Sequence, residues 1–170
     1  MDWPLPYTLC FVRRGSELLL LNRLKSPNMG VWNGLGGKIE PGESPVVAVH
    51  REVLEEAKLD IPCSLFQHRG VVAWTTGDGM KSGMHVFTTT LPAAATYCTP
   101  ARCDEGILDF KPINWTLDKD NCGVAELLPA FLPHVLSTEP PVTHLFEFNT
   151  DLPPRFTYQQ HELFTPLQLV

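Results

Sequence analysis

Three glutamates, Glu52, Glu55 and Glu56, fall in a segment whose apolar residues recur at helical spacing. On an α-helix successive residues turn by about 100°, so with Glu52 at zero, Glu55 falls near −60° and Glu56 near +40°. The three carboxylates share one face. Val46, Val49, Val53 and Ala57 lie between about +60° and +140° on the same wheel, so the acids border a stripe built to be buried. A charge run is ordinarily a solvated face, but this one is costly. Like charges at i,i+3 and i,i+4 repel by about 0.2–0.5 kcal/mol per pair, and Glu55 and Glu56 sit near the negative end of the helix dipole. Arg51, four residues before Glu55, offsets part of that repulsion. A hard divalent cation would relieve it further, because clustered carboxylate oxygens suit Mg²⁺ or Mn²⁺ and leave positions for water and substrate phosphates.

The elements that must position these acids can be read outward from them. Ser44 and Pro45 supply an N-cap and a first-turn proline, so the pattern predicts a helix over 45–58, ended by Asp60-Ile61-Pro62. Ahead of it, residues 22–37 break into Ser, Pro, Asn and Gly, a loop around one very short strand whose glycines let backbone approach a ligand. Residues 7–12 and 17–21 are β-rich runs split by Arg13-Arg14-Gly15-Ser16, which predicts a hairpin. Downstream, 65–75 and 84–91 read as strands joined through Gly77-Asp78-Gly79, 92–102 as a connection and 107–115 as a further strand. Residues 123–136 read as a helix that Pro129 and Pro133 shorten or kink. Segments 143–148 and 156–164 read as late strands separated by Asp151-Leu152-Pro153-Pro154. No repeat or linker interrupts the chain, which predicts one domain over 1–170.

Composition narrows the function classes. With 13 Lys+Arg against 19 Asp+Glu the formal net charge is −6 over 170 residues, which argues against bulk attraction to nucleic acid. The longest strongly apolar run, Leu18 to Leu21, is far below the ~18 residues of a membrane span. Five cysteines, odd in number and without a CxxC pair, indicate neither a disulfide framework nor a zinc ribbon, and free thiols point to a soluble protein of the reducing cytoplasm.

Gly37, Glu43 and the run Arg51-Glu52-Val53-Leu54-Glu55-Glu56-Ala57-Lys58-Leu59 match the Nudix box, G-x5-E-x7-R-E-U-x-E-E-x-G-U with U aliphatic, at every charged position over 37–59. The one departure is Lys58 in place of glycine, which puts the usual left-handed cap of the helix in question and removes no ligand. Tyr7-Thr8-Leu9, Arg23 and Trp32-Asn33-Gly34-Leu35-Gly36-Gly37-Lys38 extend the likeness to the MutT-like, 8-oxo-dGTP diphosphatase-like branch, covering residues 7–70 well and the rest loosely.

The resemblance implies an α/β (α+β) fold, an α/β/α sandwich with a mixed β-sheet and a loop-helix-loop box. It implies a Mg²⁺-dependent pyrophosphohydrolase, with Mn²⁺ as a substitute, that cleaves purine nucleoside triphosphates including 8-oxo-dGTP to monophosphate and pyrophosphate. Other substrates of the type nucleoside diphosphate-X remain open, as does a silent nucleotide-binding module. By the same resemblance Glu52, Glu55 and Glu56 with the Gly36 carbonyl hold the metal, and Glu105 of the Asp104-Glu105 pair joins them as ligand or base. The base is not assigned among Glu55, Glu56 and Glu105. Glu43 and Arg51 brace loop against helix; Arg23, Lys38 and Gly37 meet the phosphates; Thr8 and Asn33 reach the base edge, Asn33 offering both donor and acceptor. Partners are expected to be small-molecule nucleotides, the protein a monomer or homodimer. Where relatives close the purine site with Trp-Pro-Asp-Asp, this chain has Asn121-Cys122-Gly123-Val124-Ala125-Glu126, which opens a broader nucleotide range.

Overall fold

A computed structural model describes residues 3–149 and 155–163. Its centre is a mixed sheet. Strands β1 (Tyr7–Arg14), β2 (Glu17–Arg23), β3 (Trp32–Asn33), β4 (Gln67–Thr75), β5 (Lys81–Thr90), β6 (Ala101–Cys103), β7 (Gly106–Pro112), β8 (Val142–Phe148) and β9 (Phe156–Glu162) run in the order β6-β7-β2-β1-β5-β4-β8-β9, with β3 paired to β2. β1 is antiparallel to β2 but parallel to β5, and β4 is parallel to β8.

Strands β1 and β2 are apolar on both faces, and their alternation sorts the core into two layers. Cys10, Val12, Leu19 and Leu21 pack on one side against Val49, Val53 and Ala57 of helix α1 (Pro45–Ala57). Leu9, Phe11, Leu18 and Leu20 pack on the other against Leu128, Phe131, Leu132 and Val135 of helix α3 (Leu128–Val135). This is the expected sandwich with a helix on each face. No helix among the described residues is long and apolar enough to cross a membrane.

Several expectations are corrected. The strand expected over 107–115 ends at Pro112, and Ile113–Thr116 form the short helix α2, in which the Thr116 hydroxyl donates to the Pro112 carbonyl at 3.0 Å. The helix expected from 123 begins at 128, because the backbone of 123–125 is claimed by β3: Trp32 N–H donates to the Gly123 carbonyl and Ala125 N–H to the Trp32 carbonyl, each at 2.8 Å. The connection 92–102 ends in β6, and β5 starts three residues earlier than expected. Ser44 has extended backbone but makes no side-chain cap hydrogen bond. Lys58 adopts φ 57°, ψ 28° and its N–H donates to the Leu54 carbonyl, so the left-handed cap forms without glycine. The connection through Asp151-Leu152-Pro153-Pro154 and the expected strand end at Phe164 lie outside the described residues.

Candidate active site

Sequence and sheet register together build the site at the start of β1. Residues 35–38 run alongside it as an irregular extra strand: Leu35 and Cys10 exchange backbone hydrogen bonds at 2.9 and 2.6 Å, and Thr8 N–H donates to the Gly37 carbonyl at 2.8 Å. Only glycine permits this approach. A Cβ on Gly36, whose φ is +145°, would lie 2.2 Å from the Thr8 carbonyl oxygen. A Cβ on Gly37 would lie 2.6 Å from the carboxyl carbon of Glu52, so the missing side chain is the space the Glu52 carboxylate occupies.

Helix α1 brings its acids to this loop in a graded way. Glu56 is buried, 7% exposed, and accepts the Gly36 N–H at 3.0 Å. Glu52 is half-buried and accepts from Arg51 Nη1 at 2.7 Å. Glu55 is exposed at the rim, 3.5 Å from Arg51. Arg51 is the hub: its Nε and Nη2 donate to the two Glu43 oxygens at 2.8 and 3.0 Å, and Nη2 also donates to the Lys38 carbonyl at 3.0 Å. This fork clamps the glycine loop to the helix. It holds the Glu43 carboxyl down at about 2 and raises the guanidinium.

Glu105 comes from the β6–β7 turn. Leu24 N–H donates to the Glu105 carbonyl at 2.9 Å, and Gly106 presses so closely on β2 that a Cβ there would clash with the Asn22 carbonyl. The Glu105 carboxylate is 3.6 Å from Arg23. Its charge reaches the helix: burial, then the charges of Glu52 and Glu105, push the Glu56 carboxyl up to about 8, against the Gly36 hydrogen bond and Arg23. Glu52 is likewise raised, by burial first, with Arg51 opposing.

The remaining expected residues are placed less uniformly. Thr8 is buried, with its hydroxyl 3.5 Å from the Gly37 carbonyl. The Asn33 side-chain oxygen accepts the Gly34 N–H at 2.8 Å. Lys38 is exposed and joins the cluster through its backbone. Sequence reasoning missed Lys111, whose Nζ sits 4.3 Å from the centre of the Trp32 ring and 2.8 Å from Asp109. The alternation of β7, which puts residues 109 and 111 opposite buried Leu108 and Phe110, is the signal that places both on the Trp32 side.

Among the described residues no three His, Cys, Asp or Glu side chains close around one point as a preformed metal cage. The donor chemistry nevertheless fits a hard cation. The site's negatively charged groups are all carboxylates, two of them raised first by burial and further by their neighbours' charge, and a bound cation would relieve both effects.

Comparison with known proteins agrees with this geometry. The family described as "NUDIX domain" matches residues 4–117. A NAD-capped RNA hydrolase NudC from Stutzerimonas stutzeri is 47% identical over 83 residues, and one from Pseudomonas syringae pv. syringae is 38% identical over 82. Each match covers 47% of this chain and 28% of the relative, so the chain spans well under a third of those proteins. A MutT protein from Bacillus halodurans superposes with TM-score 0.72 at 23% identity, covering 91% of this chain and 95% of that one. The NUDIX domain of Shewanella oneidensis NrtR, solved with ADP ribose, superposes at 0.59 and 18% identity, covering 79% and 87%.

Proposed function

This chain belongs to the NUDIX domain family, hydrolases of phosphoanhydride bonds in diphosphates linked to a further group, and from that premise we propose that it is a Mg²⁺-dependent pyrophosphohydrolase of purine nucleoside triphosphates. Oxidised 8-oxo-dGTP is within its range, and its products are the nucleoside monophosphate and pyrophosphate. The observation that carries the reading is the glycine loop pinned between β1 and α1, with Glu52 in the space beside Gly37 and Glu56 on the Gly36 N–H. The match to the Bacillus halodurans MutT fold over nearly the whole chain supports the same assignment.

Glu52, Glu56 and Glu105, with Glu55 at the rim and the Gly36 carbonyl, would hold the cation. When bound, a divalent ion there neutralises phosphate oxygens and makes hydroxide accessible near neutral pH. The protein's own groups do the positioning. Arg23 and Lys38 meet the phosphate chain at the Gly37 backbone, while the Arg51–Glu43 fork holds that backbone still, as in-line attack requires. Glu55, Glu56 and Glu105 are the carboxylates available to take the proton of the attacking water. Asn33, its oxygen engaged by Gly34, keeps its amide N–H₂ to donate to a base edge, and Thr8 forms the floor beneath Gly37. Five free thiols support a cytoplasmic setting.

A second reading rests on the 47% identity to the Stutzerimonas stutzeri NudC segment: the same carboxylates would serve a dinucleotide diphosphate such as an NAD cap on RNA. Product analysis separates the two. With Mg²⁺, purine triphosphates should yield monophosphate and pyrophosphate faster than NAD-capped RNA yields nicotinamide mononucleotide. Absence of pyrophosphate from every unmodified and oxidised triphosphate would sink the proposal.

A further inference from the structure

At the opposite end of β1 from Thr8, some 17 Å away at a strand's rise per residue, the sheet and the end of α3 form an open cavity. Its volume is about 320 Å³. It is lined by Arg13, Gln67, Arg69, Thr88, Thr90 and Ser137, with an apolar wall from Leu65 and the last turn of α3. No Asp or Glu lines it.

The two arginines are differently employed. Arg69 donates from Nε to the Val135 carbonyl at 3.0 Å and from Nη2 to the carbonyls of Ser137 and Glu139 at 2.8 Å each. It thereby covers the negative pole of α3, which would otherwise repel an anion from this cavity. Arg13 donates from Nε to the Gly15 carbonyl at 2.7 Å, and its two terminal nitrogens make no hydrogen bond among the described residues. Neither arginine pairs with a carboxylate among the described residues, although the chain carries a net charge of −6. Register places Thr90 opposite Arg13 and Thr88 opposite Phe11, so both threonines stand on the α3 side of the sheet. Thr89 faces the other layer by alternation, and its orphaned hydroxyl is not among the donors.

We propose that this cavity is a binding site for a small phosphate-class oxyanion, either inorganic phosphate or the phosphoryl group of a small metabolite, separate from the hydrolytic centre. The geometry is a concave wall of guanidinium, hydroxyl and carboxamide donors with uncompensated positive charge. A volume near the lower end of ligand pockets, which run from about 300 to 1,000 Å³, suits such a group.

The test is an amide ¹⁵N–¹H titration of the full chain with orthophosphate, without divalent metal, against chloride at equal ionic strength. Saturable shifts are expected at Thr88, Thr90 and Ser137. Arg13→Gln should weaken the affinity at least tenfold, with Thr90→Val as an independent second variant, whereas Arg23→Gln should leave it unchanged. No saturable shift, shifts confined to Gly36 and Gly37, or unaltered affinity in both Arg13→Gln and Thr90→Val overturns the site. Competition by glycerol phosphate but not glycerol identifies a phosphoryl group as sufficient; failure of both orthophosphate and glycerol phosphate overturns it as well. Because hydrolysis is not measured, the outcome is independent of the proposed activity.

Discussion

Glu56 and His144 are both ionisable, both buried, and both pushed by burial toward their neutral forms, the carboxyl up to about 8 and the imidazole down to about 4. Their neighbours differ. Around His144 stand rings: Tyr158 stacked at 6.0 Å, Phe131 at 5.7 Å and His134 at 5.3 Å, with a 2.8 Å hydrogen bond between Nδ1 and the Tyr158 hydroxyl. Around Glu56 stand charges: Glu52 and Glu105 of the same sign, Arg23 of the other, and the buried Cys10, whose thiol burial and Glu56 drive up. Burial alone therefore does not mark a functional group. Converging like charges do, because a fold selected only for stability would separate them or replace them with apolar residues.

The sharpest way to break this contrast is to remove the ionisable group at each position. Glu56→Gln should cut pyrophosphate release by ~100-fold or more while leaving the far-ultraviolet spectrum intact, since loss of the proposed ligand should exceed the 10–100-fold typical of an outer partner. His144→Phe should leave the rate within a few-fold. Equal losses in the two variants would erase the distinction. Next in size is Gly37→Ala: the added Cβ meets only the far end of Glu52, so the carboxylate is displaced while the fold survives. Turnover should drop by roughly 10–100-fold with little change in Tm.

Buried histidines on both faces of the sheet make their own prediction in acid. His144 and His85 both fall to about 4 from an ordinary 6.5, so between those values the unfolded chain binds more protons than the folded one. Stability is then complete above about pH 6.5 and declines as pH falls toward 4, by about 1–2 kcal/mol per histidine at pH 5. His134 faces His144 and His68 lies 3.2 Å from His85, so protonation of each buried ring is further opposed by its neighbour. Urea melts of His144→Gln at pH 7 and 5 should show a smaller pH difference than the parent; an identical difference would remove His144 from the account.

The same contrast explains what was legible in the sequence. The acidic helix and its loop rest on local spacing, so α1 and the glycine run can be read without a structure, while the Glu43–Arg51 brace comes from the family resemblance. Placement by distant backbone is not legible in spacing. Glu105 is named only through the family resemblance, and it comes to the acids because Gly106 lies against Asn22; α3 begins at 128 because Trp32 takes the backbone of 123–125. β6 is three residues, Ala101-Arg102-Cys103, too short for alternation to show, and it exists by pairing with β7. Lys81-Ser82-Gly83 has no strand character of its own and is extended by Ala73, Trp74 and Thr75 across the ladder. The His144–Tyr158 stack joins β8 to β9 across a register that no single segment reveals.

The smallest expected effect concerns the one position where the chain departs from the box. Lys58 holds φ 57°, a conformation that costs a side-chain-bearing residue about 1 kcal/mol relative to glycine, and its ammonium recovers part of that by donating to the Glu55 carbonyl at 2.9 Å. The backbone cap to Leu54 is independent of the side chain and survives substitution. Lys58→Gly should therefore raise the urea midpoint by an amount worth up to about 1 kcal/mol with an unchanged m-value. The rate should stay constant, since the side chain reaches the outer turn of α1 and not Glu52 or Glu56. A lowered midpoint would mean that the Lys58–Glu55 hydrogen bond outweighs the backbone strain, and a lowered rate would place Lys58 among the groups that set the position of Glu55.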